Sequence, residues 1–225
     1  RRAPGYVQPP LGAAWRVPYH WFDVVSAWRI WCRSLTQCLG QVLSLGMLRG
    51  VILVFARAPE AGKAKTRLIP RLGSVGAAHL HAKLVHLTLG RVTASHHAHA
   101  QLWCSPGRDQ PFFSQCGSTY GVSLHDQSGF DLGERMSNAF DQVLRDYEWA
   151  LIIGTDCPDL SSEDLERAGQ DLNGGADVVL GPAADGGYYL IGLRKPEPKL
   201  FENIPWGGSE VLSRTYTRLE ELGLN

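Results

Sequence analysis

The chain carries no excess charge of either sign. Its 22 Lys and Arg balance 22 Asp and Glu over 225 residues, so there is no global positive field to hold a nucleic-acid backbone and no acidic surplus pointing to disorder. Any anion site must be local. Cysteine is sparse and unpatterned. Cys32, Cys38, Cys104, Cys116 and Cys157 are odd in number and contain no CxxC pair, which argues against a disulfide framework and a zinc knuckle and fits a reducing, cytoplasmic setting. Long apolar runs are missing too. The richest stretch, residues 21–48, is interrupted by Asp23, Arg29 and Arg33, well short of the roughly 20 apolar residues a membrane span needs. No internal repeat or low-complexity tract occurs.

What is there divides unevenly. Four of the seven tryptophans, Trp15, Trp21, Trp28 and Trp31, crowd into residues 1–48 among prolines and arginines. This segment reads as an N-terminal extension, disordered or outside the native protein, with a domain starting near Met47. An interfacial helix with Trp and Leu on one side and Arg on another is the alternative. Residues 49–225 are long enough to bury one sizeable core.

From Val51 onward, apolar runs alternate with helix-period segments, the pattern of an α/β domain whose mainly parallel sheet is covered by helices on both faces. Strands are expected at residues 51–55, 101–104, 121–124, 150–153, 177–180 and 188–191. In a first helix Leu80, Leu84 and Leu87 share a face. A second, over residues 134–147, repeats Met136, Ala139, Phe140, Val143, Leu144 and Tyr147 at three- and four-residue steps. Ser161 followed by Asp164 has the form of a capping box, which opens a helix running to about residue 172. Residues 209–222 supply the last helix.

Four segments carry chemistry. The first, Arg57-Ala58-Pro59-Glu60-Ala61-Gly62-Lys63-Ala64-Lys65-Thr66-Arg67-Leu68, follows the first strand, where open α/β sheets bind ligands and a glycine-bearing loop exposes backbone N–H groups to phosphate. Its four cations outweigh helix-end dipoles: a cation within about 4 Å of a phosphate charge is worth on the order of 4 kcal/mol at an effective dielectric near 20, against roughly 0.3–1 kcal/mol for a dipole. It is not a Walker A motif, which needs glycine at position 57 and serine or threonine at position 64. The second, Gly154-Thr155-Asp156-Cys157-Pro158-Asp159, ends a central strand, and Asp156 is the best candidate for a hard divalent cation shared with substrate phosphates. Asp159 assists there or simply forms the turn. The third, Gly181 to Tyr189, places Asp185 beside paired glycines, where it orients an acceptor, completes the metal site, or sits in an Asp-Gly hairpin turn. The fourth, Gln127 to Met136, is a glycine-bearing loop opening the strongest helix, with Asp131 as cap or ligand contact. His96, His97 and His99 read as a solvated face at a helix end, and Cys157 as a loop thiol lacking a base.

In this order the segments resemble the small bacterial GT-A-type transferases of largely undefined activity, often labelled glycosyltransferases. The resemblance rests on Phe55 to Pro59 with Gly62, on Lys65-Thr66-Arg67-Leu68, on Asp131-Leu132-Gly133-Glu134-Arg135-Met136, on Gly154 to Leu160, and on Gly181-Pro182 with Asp185 to Gly192. It covers about residues 51–223 and is more distantly similar to phospholactate and molybdenum-cofactor guanylyltransferases. It implies a three-layer α/β/α sandwich and a metal-dependent transferase with a nucleotide or nucleotide-sugar donor and a small-molecule acceptor. Glycosyl transfer is preferred. The alternatives are nucleotidyl transfer, or a nucleotide-binding protein that kept the fold without turnover. Neither nucleic acid nor membrane is expected as a partner. By the same likeness the nucleotide contacts Arg57, Gly62, Lys65, Thr66, Arg67, Asp131 and Arg135, magnesium or manganese sits on Asp156, and Asp156, Asp185 and Lys65 are catalytic. Two departures stand out. Trp206 is followed by Gly207-Gly208-Ser209 where the family has Trp-Ser/Gly-Thr, and the chain stops before a final strand and an aspartate-rich segment.

Overall fold

The computed structural model describes residues 49–95 and 98–225. The Trp-rich segment, its extension or interfacial-helix reading, and His96 and His97 lie outside the described residues.

The run Val51 to Ala56 is apolar throughout and buried throughout, as a strand with neighbours on both sides and helices on both faces must be. It forms β1 (Gly50–Arg57), the centre of a six-stranded sheet with β2 (His99–Ser105), β3 (Ser123–Asp126), β4 (Trp149–Ile153), β5 (Val178–Pro182) and β6 (Tyr188–Leu193) in the order β3-β2-β1-β4-β6-β5. β1 to β4 run parallel, β6 is antiparallel to β4, and β5 is antiparallel to β6. The sheet is therefore mainly parallel. It also has a switch point, because the chain leaves β1 toward β2 on one side and returns with β4 on the other.

Alternation along β1 sorts the two cores. Ile52, Val54 and Ala56 pack with Val85, Leu89, Leu102, Phe113, Leu151 and Leu165, a layer supplied by α1 (Ile69–Ala94), α2 (Pro111–Tyr120) and α4 (Ser162–Gly174). Val51, Leu53 and Phe55 face Trp103, Met136, Phe140, Ile152, Ile191 and Phe201, under α3 (Leu132–Val143), a 3-10 turn (Pro198–Phe201) and α5 (Val211–Leu222). The result is a three-layer α/β/α sandwich. Each such side chain, fully buried, contributes about 1.5–3 kcal/mol.

Ser161 caps α4 in the expected reciprocal box with Asp164, and those hydrogen bonds hold the Asp164 carboxyl below its ordinary range. Other elements add detail or differ from expectation. α1 buries Ala77, Ala78, His81, Val85, Thr88, Leu89 and Val92, while on the face that Leu80, Leu84 and Leu87 share, Leu87 is 41% exposed and Leu80 and Leu84 are half-buried. His81 and Thr88 tolerate burial because each has a carbonyl partner, Arg57 and Leu84 respectively. α2 has no counterpart among the expected helices, although Pro111 in its first turn and the left-handed Gly121 after its end are ordinary boundary signals. β3 lies two residues later than expected, and α3 begins at Leu132 and stops at Val143.

Candidate functional site

Because Val54 of β1 pairs with Ile153 of β4, the chain leaves the sheet at two adjacent points on the same edge, and the first two chemical segments emerge side by side at the switch point. The first climbs through a tight turn in which the Lys63 and Ala64 N–H groups bond the Glu60 carbonyl and Gly62 takes φ +84. Ala64 is buried. Lys65 then adopts the left-handed conformation, φ 50 and ψ 44, at a cost of about 1–2 kcal/mol for a residue with a Cβ. Its ammonium pairs with the Asp156 carboxylate.

The pair is asymmetric. The Lys65 side chain is 17% exposed and that of Asp156 72%, so the carboxylate stands in the opening with the ammonium beneath it. The third wall comes from the segment before α3. Gln127 donates through its side-chain amide to the Ala56 and Trp103 carbonyls, closing the ends of β1 and β2. Asp131 caps α3 by accepting from the Glu134 N–H at 2.8 Å, while Arg135 donates to the Gly129 carbonyl at 3.0 Å and reaches Ser105 Oγ at 3.5 Å.

These walls enclose an open cleft of about 860 Å³, within the range of small-molecule sites, lined by five cations (Arg57, Lys63, Lys65, Arg67 and Arg135) and two carboxylates (Asp131 and Asp156). The balanced chain thus concentrates positive charge in one place. Thr66 also lines it, as do the apolar Leu68, Phe130 and Leu132. Of the expected site residues, Arg57, Lys65, Thr66, Arg67, Asp131, Arg135 and Asp156 are brought together here. Gly62 is not on the lining and serves the turn. Asp185 does not line the cleft either: its carboxylate accepts from the Gly187 N–H at 3.1 Å within the β5–β6 turn. Asp159 lies in the exposed turn before α4.

Two lining residues escaped sequence reasoning, Ser105 at the end of β2 and His81. His81, on the sheet face of α1, donates from Nε2 to the Arg57 carbonyl at 2.9 Å, and its buried Nδ1 has no partner. Burial, ahead of the nearby Lys65 ammonium, lowers its pKa against the opposing bond to that carbonyl. Nothing in hydropathy marks such a histidine, which props the root of the basic loop. Burial pushes the Cys104 thiol up to about 12 and the Cys116 thiol up to about 11, which disfavours the thiolate at both.

Among the described residues no group of three or more His, Cys, Asp or Glu gathers to hold a metal. Asp156, exposed though paired with Lys65, beside a cationic surface fits an ion like Mg²⁺, which keeps several waters and takes one or two carboxylates plus substrate phosphates. It does not suit a protein-only cage. No helix among the described residues is long and apolar enough to cross a membrane.

Comparison with known proteins follows the same lines. The family described as "Uncharacterized protein conserved in bacteria (DUF2064)" matches residues 88–208. A Desulfovibrio desulfuricans protein of known structure, provisionally named a nucleotide-diphospho-sugar transferase, is 35% identical, with 79% of this chain and 78% of that one covered at a TM-score of 0.72. A CMP:2-keto-3-deoxy-manno-octonic acid synthetase complexed with CTP matches at 14% identity, 79% and 87% coverage and a TM-score of 0.51. A cytidylyltransferase from Leptospira borgpetersenii matches at 13% identity, 78% and 73% coverage and a TM-score of 0.51. At those identities the likeness is one of fold alone. No curated protein matches the chain.

Proposed function

The chain belongs to the DUF2064 family, and on that premise we propose that it is a transferase acting on a nucleotide or nucleotide-sugar donor and a small-molecule acceptor, with glycosyl transfer the preferred reaction. The observation that carries this reading is the meeting of Lys65 and Asp156 across the switch point, inside a cleft with five cations. Lys65, Arg67 and Arg135 grip the phosphates. Asp156 would hold Mg²⁺ or Mn²⁺ jointly with them, and the ion, when bound, supplies charge neutralisation at the leaving phosphate. The chain's own part is preorganisation: Lys65, held left-handed, and Arg135, anchored on Gly129, present their cations to the cleft, and on this reading little reorganisation accompanies reaction.

In glycosyl transfer the bond between the anomeric carbon and the donor phosphate breaks as an acceptor oxygen bonds that carbon, and nucleoside diphosphate leaves. The preference rests on the 35% identical relative and its name. One observation favours a second reading. Five cations against two carboxylates suit the more heavily charged triphosphate, whose α-phosphorus would accept an acceptor oxygen with release of pyrophosphate. A panel of nucleoside triphosphates and nucleotide sugars, with Mg²⁺ or with EDTA, assayed for pyrophosphate and nucleoside diphosphate, separates the two. Nucleoside diphosphate release from a sugar donor is expected. Tight binding without any product would leave a binding protein, and absence of binding by every donor would sink the reading altogether.

A further inference from the structure

The cleft holds one side chain that the fold does not need. Phe130 is 98% exposed, yet it lines the cleft. The loop presenting it is not slack. The Phe130 N–H donates to Glu134 Oε2 at 2.7 Å, Arg135 bonds the Gly129 carbonyl, and Asn138 bonds the Ser128 carbonyl at 2.9 Å. The backbone on either side is thus tied to α3 while the phenyl ring stands in solvent. A large apolar side chain carried into water on a tied backbone at the rim of a polar cleft gains nothing from folding. Leu132, 44% exposed, and the half-buried Leu68 extend the same apolar strip along the cleft.

The occupant of such a cleft must carry two things at once: a polyanion for the cations and a flat apolar face for the ring. A nucleotide carries both. We propose that Phe130 is the platform on which the nucleobase of the donor stacks while its phosphates lie on the basic loop, an inference that rests on the nucleotide-donor reading above. Stacking on a phenyl face is tolerant of base identity because every base has a π-face, so Phe130 adds affinity without choosing among bases.

The test is calorimetric titration of the full chain in Mg²⁺ with ATP, GTP, CTP, UTP and inorganic tripolyphosphate, for wild type, Phe130→Ala and Phe130→Trp. Since the ring packs on nothing, Phe130→Ala should melt at the wild-type temperature. It should weaken each nucleotide that binds by about tenfold and leave tripolyphosphate unchanged. Phe130→Trp should keep nucleotide affinity, and the fluorescence it adds to wild type should be quenched by nucleotide and not by tripolyphosphate. Unchanged nucleotide affinity in Phe130→Ala, or an equal loss for nucleotide and tripolyphosphate, overturns the stacking and leaves the phosphate cleft standing. Failure of wild type to bind any of the five ligands overturns both.

Discussion

The loop after β1 and the loop joining β5 to β6 leave the same edge of the sheet and are written in similar residues, glycine beside ionisable side chains, yet only the first opens onto the cleft. The first is spacious and strained. A Cβ added at Gly62 would meet nothing within 4 Å, while Lys65 holds a left-handed backbone to reach Asp156. The second is packed and closed. A Cβ at Gly186 would fall 2.1 Å from the Ser209 carbonyl oxygen, the Gly186 carbonyl accepts from the Leu212 N–H, and Asp185 bonds its own turn. Position in the sheet explains the contrast. β4 is the neighbour of β1, whereas β6 and β5 lie two and three strands away, roughly 10–14 Å at ordinary strand spacing. The loop after β1 therefore opens on the cleft at the switch point, and the β5–β6 loop closes as a turn away from its lining.

The sharpest way to break this comparison is Lys65→Gly. Removing the ammonium should lower nucleotide or tripolyphosphate affinity by about a hundredfold or more, read by calorimetry. Glycine takes the left-handed backbone without strain, so the melting temperature should stay level or rise. A loss of stability alongside affinity would mean that Lys65 is structural. Gly186→Ala is the mirror experiment: the clash and the positive φ should cost about 2–4 kcal/mol in denaturant unfolding, with ligand affinity intact in the folded fraction. If affinity fell instead, the hairpin would belong to the site.

Much of this was legible beforehand, and the reasons differ by residue. The β1 and β4 runs read as buried strands because a strand covered on both faces has to be apolar at every position, and the Ser161–Asp164 box reads directly because capping is local chemistry. The basic loop and Asp156 were likewise visible, as charge following a buried strand. His81 was not. Its value comes from a carbonyl 24 residues away in the chain, and no window of sequence contains that contact. Phe130 lies in the segment from Gln127 to Met136, but its exposure is a property of the folded loop. Asp185 reads as a site residue from its glycine neighbours, and only the folded chain shows its carboxylate bonding its own turn, off the lining of the cleft.

Smaller effects sharpen the comparison further. His81 supports the open loop from beneath, and its pKa is depressed below the ordinary 6.5. Between those two values the unfolded chain binds the proton more readily, so stability is full above about pH 6.5 and falls as pH drops through that value toward the lower one. His81→Gln keeps a donor for the Arg57 carbonyl without titrating. Its melting temperature should therefore fall less than that of wild type between about pH 7.5 and 5.5, and parallel curves would remove His81 from the acid response. Last and least, Asp185→Asn retains the acceptor for the Gly187 N–H, and nucleotide affinity should change by less than about twofold. A large loss would bring the hairpin carboxylate back into the chemistry.

Sequence alone determined the layered α/β architecture, the strands, the principal helix caps and the kinds of charged group available, because hydropathy period, capping and turn chemistry act over a few residues. Only the tertiary structure decided which charged loops face one another, which face of α1 meets the sheet, and which aromatic stands free. Those depend on strand order and parallel pairing between segments dozens of residues apart, and contacts of that reach leave no periodic trace in the chain.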